Sequence, residues 1–144
     1  MSERKSPRRR AREFVIQGLY QWQVGDQDAA AIQLQAEGVA GFDKADGALY
    51  ATLLAETRQY ADGLKGDLAP HLDRPWDEVS PVERCILLLG ACELEHHPET
   101  PYRVIINEGI ELAKTFGGTD GHKFVNGVLD KLAAVLRPAE SRTR

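Results

Sequence analysis

Apolar residues recur along this chain at helical intervals and nowhere in the sustained alternation of a half-buried strand. Ala11, Phe14, Val15, Gly18, Leu19 and Trp22 form one stripe. It follows Ser6-Pro7, a capping residue with proline at the first helical position. A polar break from Gly25 to Asp28 leads to a shorter helix around Ala29 to Ala36, ending near Gly38 to Gly41. Leu49, Leu53, Tyr60 and Leu64 predict one long helix from Asp43 to about Lys65, despite an irregular period. Pro70 and Pro75 punctuate the next stretch, with Trp76 as the expected anchor into the core. Ser80-Pro81-Val82-Glu83 is a capping box. Behind it, Cys85 to Cys92 is apolar nearly all round, which predicts a helix enclosed by others. Thr100-Pro101 opens a helix carrying Ile105, Ile106, Gly109, Ile110, Ala113 and Phe116, stopped by Gly117-Gly118. Thr119 or Asp120 is the expected cap of the last helix, whose inner face is Val125, Val128, Leu129, Leu132 and Leu136. Pro138 ends it. The pattern predicts an all-α protein with a flexible basic arm over residues 1–6, a helical domain over 7–137 and a frayed tail over 138–144. There is room for two successive three-helix groups.

At 144 residues and 16.0 kDa the chain fits one domain. Folding at this length buries roughly two-thirds of the unfolded surface, so no disulfide or metal staple is needed. Hydrophobic residues at 42% and charged residues at 28% describe a globular chain rather than a disordered one. No apolar run is long enough to cross a bilayer, and none follows the basic start as a secretory signal requires. The two cysteines, Cys85 and Cys92, both lie in the apolar helix, as expected for reduced thiols in a cytoplasm.

Charge changes the picture once it is divided. The net charge is −4, but Arg4, Lys5, Arg8, Arg9, Arg10 and Arg12 face only Glu3 in the first dozen residues. That segment carries +5 and leaves −9 for the rest. A basic arm on an acidic body suits a protein that meets a polyanion with one end, although a solvated tail has the same composition.

Two constellations extend the argument. On the helical wheel of the first helix, Arg9, Glu13, Ile16 and Tyr20 fall opposite the buried stripe, with Tyr20 roughly 16 Å beyond Arg9 along the axis. Cations that grip phosphate beside an exposed ring are a means of holding single-stranded nucleic acid; the alternative is that Tyr20 packs beneath a neighbouring helix. The second constellation runs from Phe116 through a glycine-rich turn to Asp120, His122, Lys123 and Phe124. A helix N-terminus there favours an anion, and Lys123 supplies a point charge. Phe124 lies at the edge of its apolar arc beside Lys131, and the alternative is a helical corner holding two core phenylalanines. The turn lacks the ending of a phosphate-binding loop that hydrolyses nucleotides. Asp120 with His122, and Glu108, Glu111 with Lys114, have no evident nucleophile near them. Cys85, Cys92, His96 and His97 lack metal-ligand spacing, which favours buried thiols. No catalytic site and no metal site are expected.

The residues carry a family resemblance. Arg8-Arg9-Arg10-Ala11-Arg12-Glu13 with Leu19-Tyr20-Gln21-Trp22-Gln23, the Val82-Glu83-Arg84 helix, and above all Pro101 to Leu132 together resemble the bacterial NusB transcription antitermination family. The resemblance spans nearly the whole chain and lapses mainly between Val24 and Asp77. It implies two packed three-helix bundles forming one compact domain, no cofactor and no enzyme activity. It implies binding of single-stranded boxA RNA in ribosomal RNA operon leaders, together with the ribosomal protein NusE. The pair would join other Nus factors on RNA polymerase to suppress premature termination. Carried over by position, Arg8, Arg9, Arg10, Arg12 and Tyr20 are one RNA-binding set. Phe116, Asp120, Lys123 and Phe124 are the other, and the two are expected to meet in space. Glu83 is implied at the NusE interface, although the capping box already gives it a structural role. Gly121 stands where serine is familiar, and Gly109 where alanine is. The rival reading is a non-catalytic protein-interaction module with little RNA binding of its own. The oligomeric state stays open, since an arm and a groove awaiting partners also suit a homodimer.

Overall fold

A computed structural model describes residues 5–141. Among the described residues eight α-helices follow one another: α1 (Pro7–Gly25), α2 (Ala29–Glu37), α3 (Gly47–Gln59), α4 (Ala61–Leu68), α5 (Pro81–His96), α6 (Tyr102–Phe116), α7 (Gly121–Leu136) and the short α8 (Pro138–Ser141). Three 3₁₀ turns, Phe42–Lys44, Ala69–His71 and Trp76–Glu78, join them, and no strand occurs among the described residues. The chain divides into two compact units, Met1–Arg58 and Gln59–Arg144.

In the first unit, side-chain oxygens satisfy the amides that helix starts leave open. Ser6 accepts from the Arg9 amide at 3.1 Å, Asp28 from Ala31 at 2.8 Å, and Asp46 from Leu49 at 3.0 Å. The Asp46 amide also donates to the Pro7 carbonyl at 2.9 Å, which ties the start of α3 to the start of α1. Phe14, Phe42 and Tyr50 meet edge to face, with centroids 5.0 Å and 5.3 Å apart for the pairs that share Phe42. Trp22, expected on the buried stripe, is half-buried with the Arg58 guanidinium 5.4 Å from its ring centre.

The second unit is built around α5, buried continuously from Cys85 to Leu94. Leu129 of α7 fits where α5 and α6 each present a glycine. A Cβ at Gly90 would come within 2.8 Å of Leu129 Cδ1, and one at Gly109 within 3.0 Å. Gly109 thus has a packing reason that offsets its low helix propensity. The Ser80 half of the capping box is present, with Ser80 Oγ accepting from the Glu83 amide at 3.2 Å. Trp76 opens a 3₁₀ turn held by Arg84, whose Nε and Nη2 donate to the carbonyls of Trp76 and Asp77 at 3.1 and 2.9 Å.

Three expectations need correction. The long helix over 43–65 is interrupted: a 3₁₀ turn precedes α3, and Tyr60 separates α3 from α4 at φ −100° and ψ 9°. The start of α7 carries no side-chain cap from Thr119 or Asp120. Past Pro138 the chain continues as α8, and Glu140 accepts from the Tyr102 amide at 2.7 Å, capping α6 from the far end of the sequence. Of the expected arm and tail, residues 1–4 and 142–144 lie outside the described residues. Lys5 is ion-paired with Glu13 at 2.9 Å, and Ser6 caps α1.

Candidate nucleic-acid interface

The exposed side of α1 is narrower than a simple stripe implies. Seven residues from Ala11 to Leu19 are buried, including Ile16 at 2% exposure and Arg12 at 2%. Ile16 therefore leaves the outward face on which the wheel put it. Arg12 is corrected with it. It stands three, four and seven residues before Val15, Ile16 and Leu19, which is the spacing of the buried stripe. Its guanidinium is not offered to a ligand.

Arg8 is exposed, while Arg9 and Arg10 are half-buried. Arg10 Nη1 lies 3.4 Å from where a Cβ of Gly41 would stand. Gly41 adopts φ +92°, a conformation open to glycine and strained for other residues. Glu13, the one acid on this face, is engaged by Lys5 through both carboxylate oxygens, at 3.0 and 2.9 Å. That pairing offsets the negative charge beside Arg9. Tyr20 is 40% exposed, so its ring reaches solvent rather than lying wholly under a neighbour.

In the second unit, α6 stops at Gly117, where a Cβ would stand 2.8 Å from the Ala113 carbonyl oxygen. The turn delivers Phe116, half-buried, and Asp120 and Lys123, both exposed and 3.5 Å apart. Phe124 is half-buried, with the Arg74 guanidinium carbon 4.4 Å from its ring centre. The cation–π contact places an extra positive charge at this aromatic, from a segment whose sequence shows only a Pro-bounded loop. Glu83 reaches the same place from α5: its Oε2 lies 2.8 Å from a Cβ built at Gly121. A carboxylate beside the first turn of α7 complements the helix dipole, so the anion expected at this N-terminus is met at least in part by the chain's own Glu83. Gly121 leaves the room for it.

The remaining chemistry-bearing residues have structural surroundings. Cys85 is fully buried, and that burial pushes its thiol pKa up to about 12. Cys92 is buried too, and His97 Nδ1 lies 2.9 Å from Glu99 Oε2. Among the described residues no group of three or more His, Cys, Asp or Glu side chains is placed to hold a metal ion. No helix among them is long and apolar enough to cross a membrane.

Comparison with known proteins gives the family and the fold. The NusB family model matches residues 9–134. The transcription antitermination protein NusB of Dechloromonas aromatica (strain RCB) is 58% identical over 140 residues, covering 97% of this chain and 86% of that protein. The protein of the same name from Burkholderia cenocepacia (strain HI2424) is 56% identical over 141 residues, covering 98% and 97%. The solved structure of T. maritima NusB superposes with a TM-score of 0.80 at 28% identity, covering 98% of this chain and all of that one. A crystal structure of the antitermination factors NusB and NusE in complex with double-stranded RNA shares the fold, with a TM-score of 0.74 at 20% identity over 88% of this chain and 96% of that one. A family match across most of the chain, and relatives more than half identical along nearly its whole length, lead to one conclusion: the protein belongs to the NusB family of transcription antitermination proteins.

Proposed function

We propose that this protein binds the boxA element of ribosomal RNA operon leaders together with NusE, and helps load the antitermination complex onto RNA polymerase in the cytoplasm. Family membership makes it a non-catalytic, RNA-binding regulator of transcription antitermination; the RNA element, the partner and the loading step are our reading. The observation that carries it is the outward face of α1, where the exposed Arg8 and half-buried Arg9 precede an exposed Tyr20, opposite a stripe buried from Ala11 to Leu19. Phosphate grip falls to Arg8, Arg9 and Arg10, and base stacking to Tyr20. In the second unit, Phe116, Asp120, Lys123 and Phe124 are a second proposed set of RNA contacts. Glu83 is the proposed NusE contact, through whatever part of its carboxylate the Gly121 site leaves open. The finer architecture belongs to the same reading. Three α-helices in the first unit fit one bundle, and α5, α6 and α7 are the core of a second.

The test is fluorescence anisotropy of a labelled boxA-type RNA, with and without NusE, at two salt concentrations. The expected result is salt-sensitive binding that tightens with NusE and is lost on a scrambled RNA. Reversing charge at Arg8, Arg9 and Arg10 should abolish it. Absence of any sequence preference in both conditions would move the assignment to a protein-interaction module.

A further inference from the structure

The second unit carries a cleft of about 190 Å³ bordered by His71, Asp73, Lys123, Phe124, Gly127 and Lys131. Lys123, Gly127 and Lys131 follow at intervals of four on α7, so they stand one above another on a single face. The two lysine stems therefore begin roughly 12 Å apart along the axis. Between them the helix is bare: a Cβ built at Gly127 would meet nothing within 4 Å. Gly90 and Gly109 are glycines because Leu129 leaves no space. Gly127 has no such neighbour, and glycine in mid-helix is disfavoured relative to alanine.

The carboxylates near the cleft are already engaged. Arg74 holds Asp73 through Nε at 2.7 Å and Nη2 at 3.2 Å. That hydrogen bond keeps the Asp73 carboxyl below its ordinary range, with the charges of Arg74 and Lys131 adding to the effect. Glu83 and Glu78 lie within electrostatic reach of Arg74, and Asp120 stands 3.5 Å from Lys123. Lys131 is exposed, and the Lys123 side chain is 74% exposed. Lys123 is paired with Asp120 and Lys131 lies within electrostatic reach of Asp73, but both ammonium groups are at the solvent surface, where an incoming phosphate competes with those carboxylates for them.

We propose that this cleft is a phosphodiester subsite, in which a backbone phosphate of single-stranded RNA lies over Gly127 between Lys123 and Lys131, beside Phe124. It rests on the RNA-binding reading and extends it along α7 to residues that reading leaves out. A bulky tetrahedral anion needs a close approach, which a bare helix turn allows. A cation pair next to an aromatic ring matches what a nucleotide presents, a phosphate beside a flat base. An acidic peptide would use the lysines but has no need of the ring.

The experiment titrates the full-length protein into a labelled boxA-type single strand across a salt series. Lys131→Ala should weaken binding about fivefold at 0.1 M salt and flatten the log–log salt slope by about 0.7, the signature of one lost single-strand phosphate contact. Gly127→Glu should weaken it about tenfold or more through like-charge repulsion. Its thermal midpoint should be no lower than wild type, because the site has space and glutamate is the better helix former. Lys65→Glu, a larger charge change than Lys131→Ala at a position outside the cleft, should have little effect. Wild-type affinity in Lys131→Ala and Gly127→Glu, with binding lost on charge reversal at Arg8, Arg9 and Arg10, would overturn the subsite and leave the RNA reading standing. No RNA binding by the wild type would remove both. Equal weakening by Lys65→Glu, or equal displacement by polyglutamate, would show a net-charge effect or a carboxylate site and overturn the phosphodiester assignment.

Discussion

Arg137, the last residue before the expected frayed tail, is 9% exposed and holds the end of the central helix. Its Nε donates to the Leu94 carbonyl at 3.0 Å. Nη2 donates to Glu93 and His97 at 3.1 and 2.8 Å, and Nη1 to the Thr100 carbonyl and to Glu140. The reason for this dependence is in the sequence. The Leu94 carbonyl would ordinarily accept from the residue four positions on, which is Pro98 and has no N–H. The Glu93 and His97 carbonyls have second donors, the His97 and Thr100 amides at 3.0 Å each. Those of Leu94 and Thr100 have Arg137.

Replacing Arg137 by alanine thus strands two buried carbonyls, each costing about 1–3 kcal/mol. It also removes the charge-assisted bonds to the other two and to Glu140. The expected loss is about 3–5 kcal/mol, comparable to breaking a buried ionic contact. For a chain of this size that corresponds to a fall in Tm of about 6–20 °C. The assay is urea denaturation in a Trp22→Phe background, where the remaining indole is Trp76, in the same unit as Arg137. An unchanged m-value with a lowered midpoint identifies a stability effect. Arg137→Lys keeps the charge but not the planar fork, and should recover at most about half of the loss. A loss below about 1 kcal/mol for Arg137→Ala would refute the reasoning, because these carbonyls would then be finding water at little cost.

Gly90→Ala should destabilise by about 1–3 kcal/mol, since its Cβ would meet a Leu129 side chain that is fully buried and has nowhere to go; the double variant with Leu129→Val should lose less than the two singles together, and strict additivity in the same melts would count against this contact. Glu140 is held below the ordinary carboxylate range first by the Tyr102 amide and then by Arg137. Its contribution is therefore full above its unfolded value of about 4.5 and is lost as pH falls through the lower folded value, so Glu140→Gln should flatten the fall of the unfolding midpoint between about pH 5 and pH 3. Glu95, raised chiefly by burial and then by Asp67, acts in the opposite sense and is common to both proteins in that comparison. Cys85, with its thiol near 12, should resist an aromatic disulfide reagent at pH 8 until denaturant is added; rapid labelling of the folded protein would contradict its burial. Tyr20→Ala should weaken single-stranded RNA more than duplex, whereas Arg9→Ala should weaken both; equal losses for Tyr20→Ala would remove its stacking role.

What the sequence made legible, and what it hid, follows from where the deciding contact sits. Ser6 and Ser80 announce their helices because each caps an amide three residues away. The break at Tyr60 is hidden because Tyr50, Leu53, Leu54 and Thr57 run in helical phase into Leu64 and Leu68, all buried. A continuous helix and a broken one leave the same stripe, although these residues belong to two units. Arg12 is a different case. Its spacing already grouped it with Val15, Ile16 and Leu19, but charge is counted along the chain while burial is decided around the helix, and a run of arginines conceals the difference. At the candidate site, the residues themselves could be found from residue type and exposure: Arg8, Tyr20, Lys123, Phe124. Their modifiers are not legible as such, although Glu83 is singled out for another role. Lys5 offsets Glu13 from eight residues away, Arg74 stacks on Phe124 from a loop, and Glu83 fills the approach to α7 that Gly121 leaves open. Each modifier alters the charge within its own unit, so on the proposed RNA reading affinity depends also on side chains such as Lys5 and Arg74 that lie outside the motif. A substitution at Arg74 or Gly121 should therefore change RNA or partner binding while every residue of the motif stays in place.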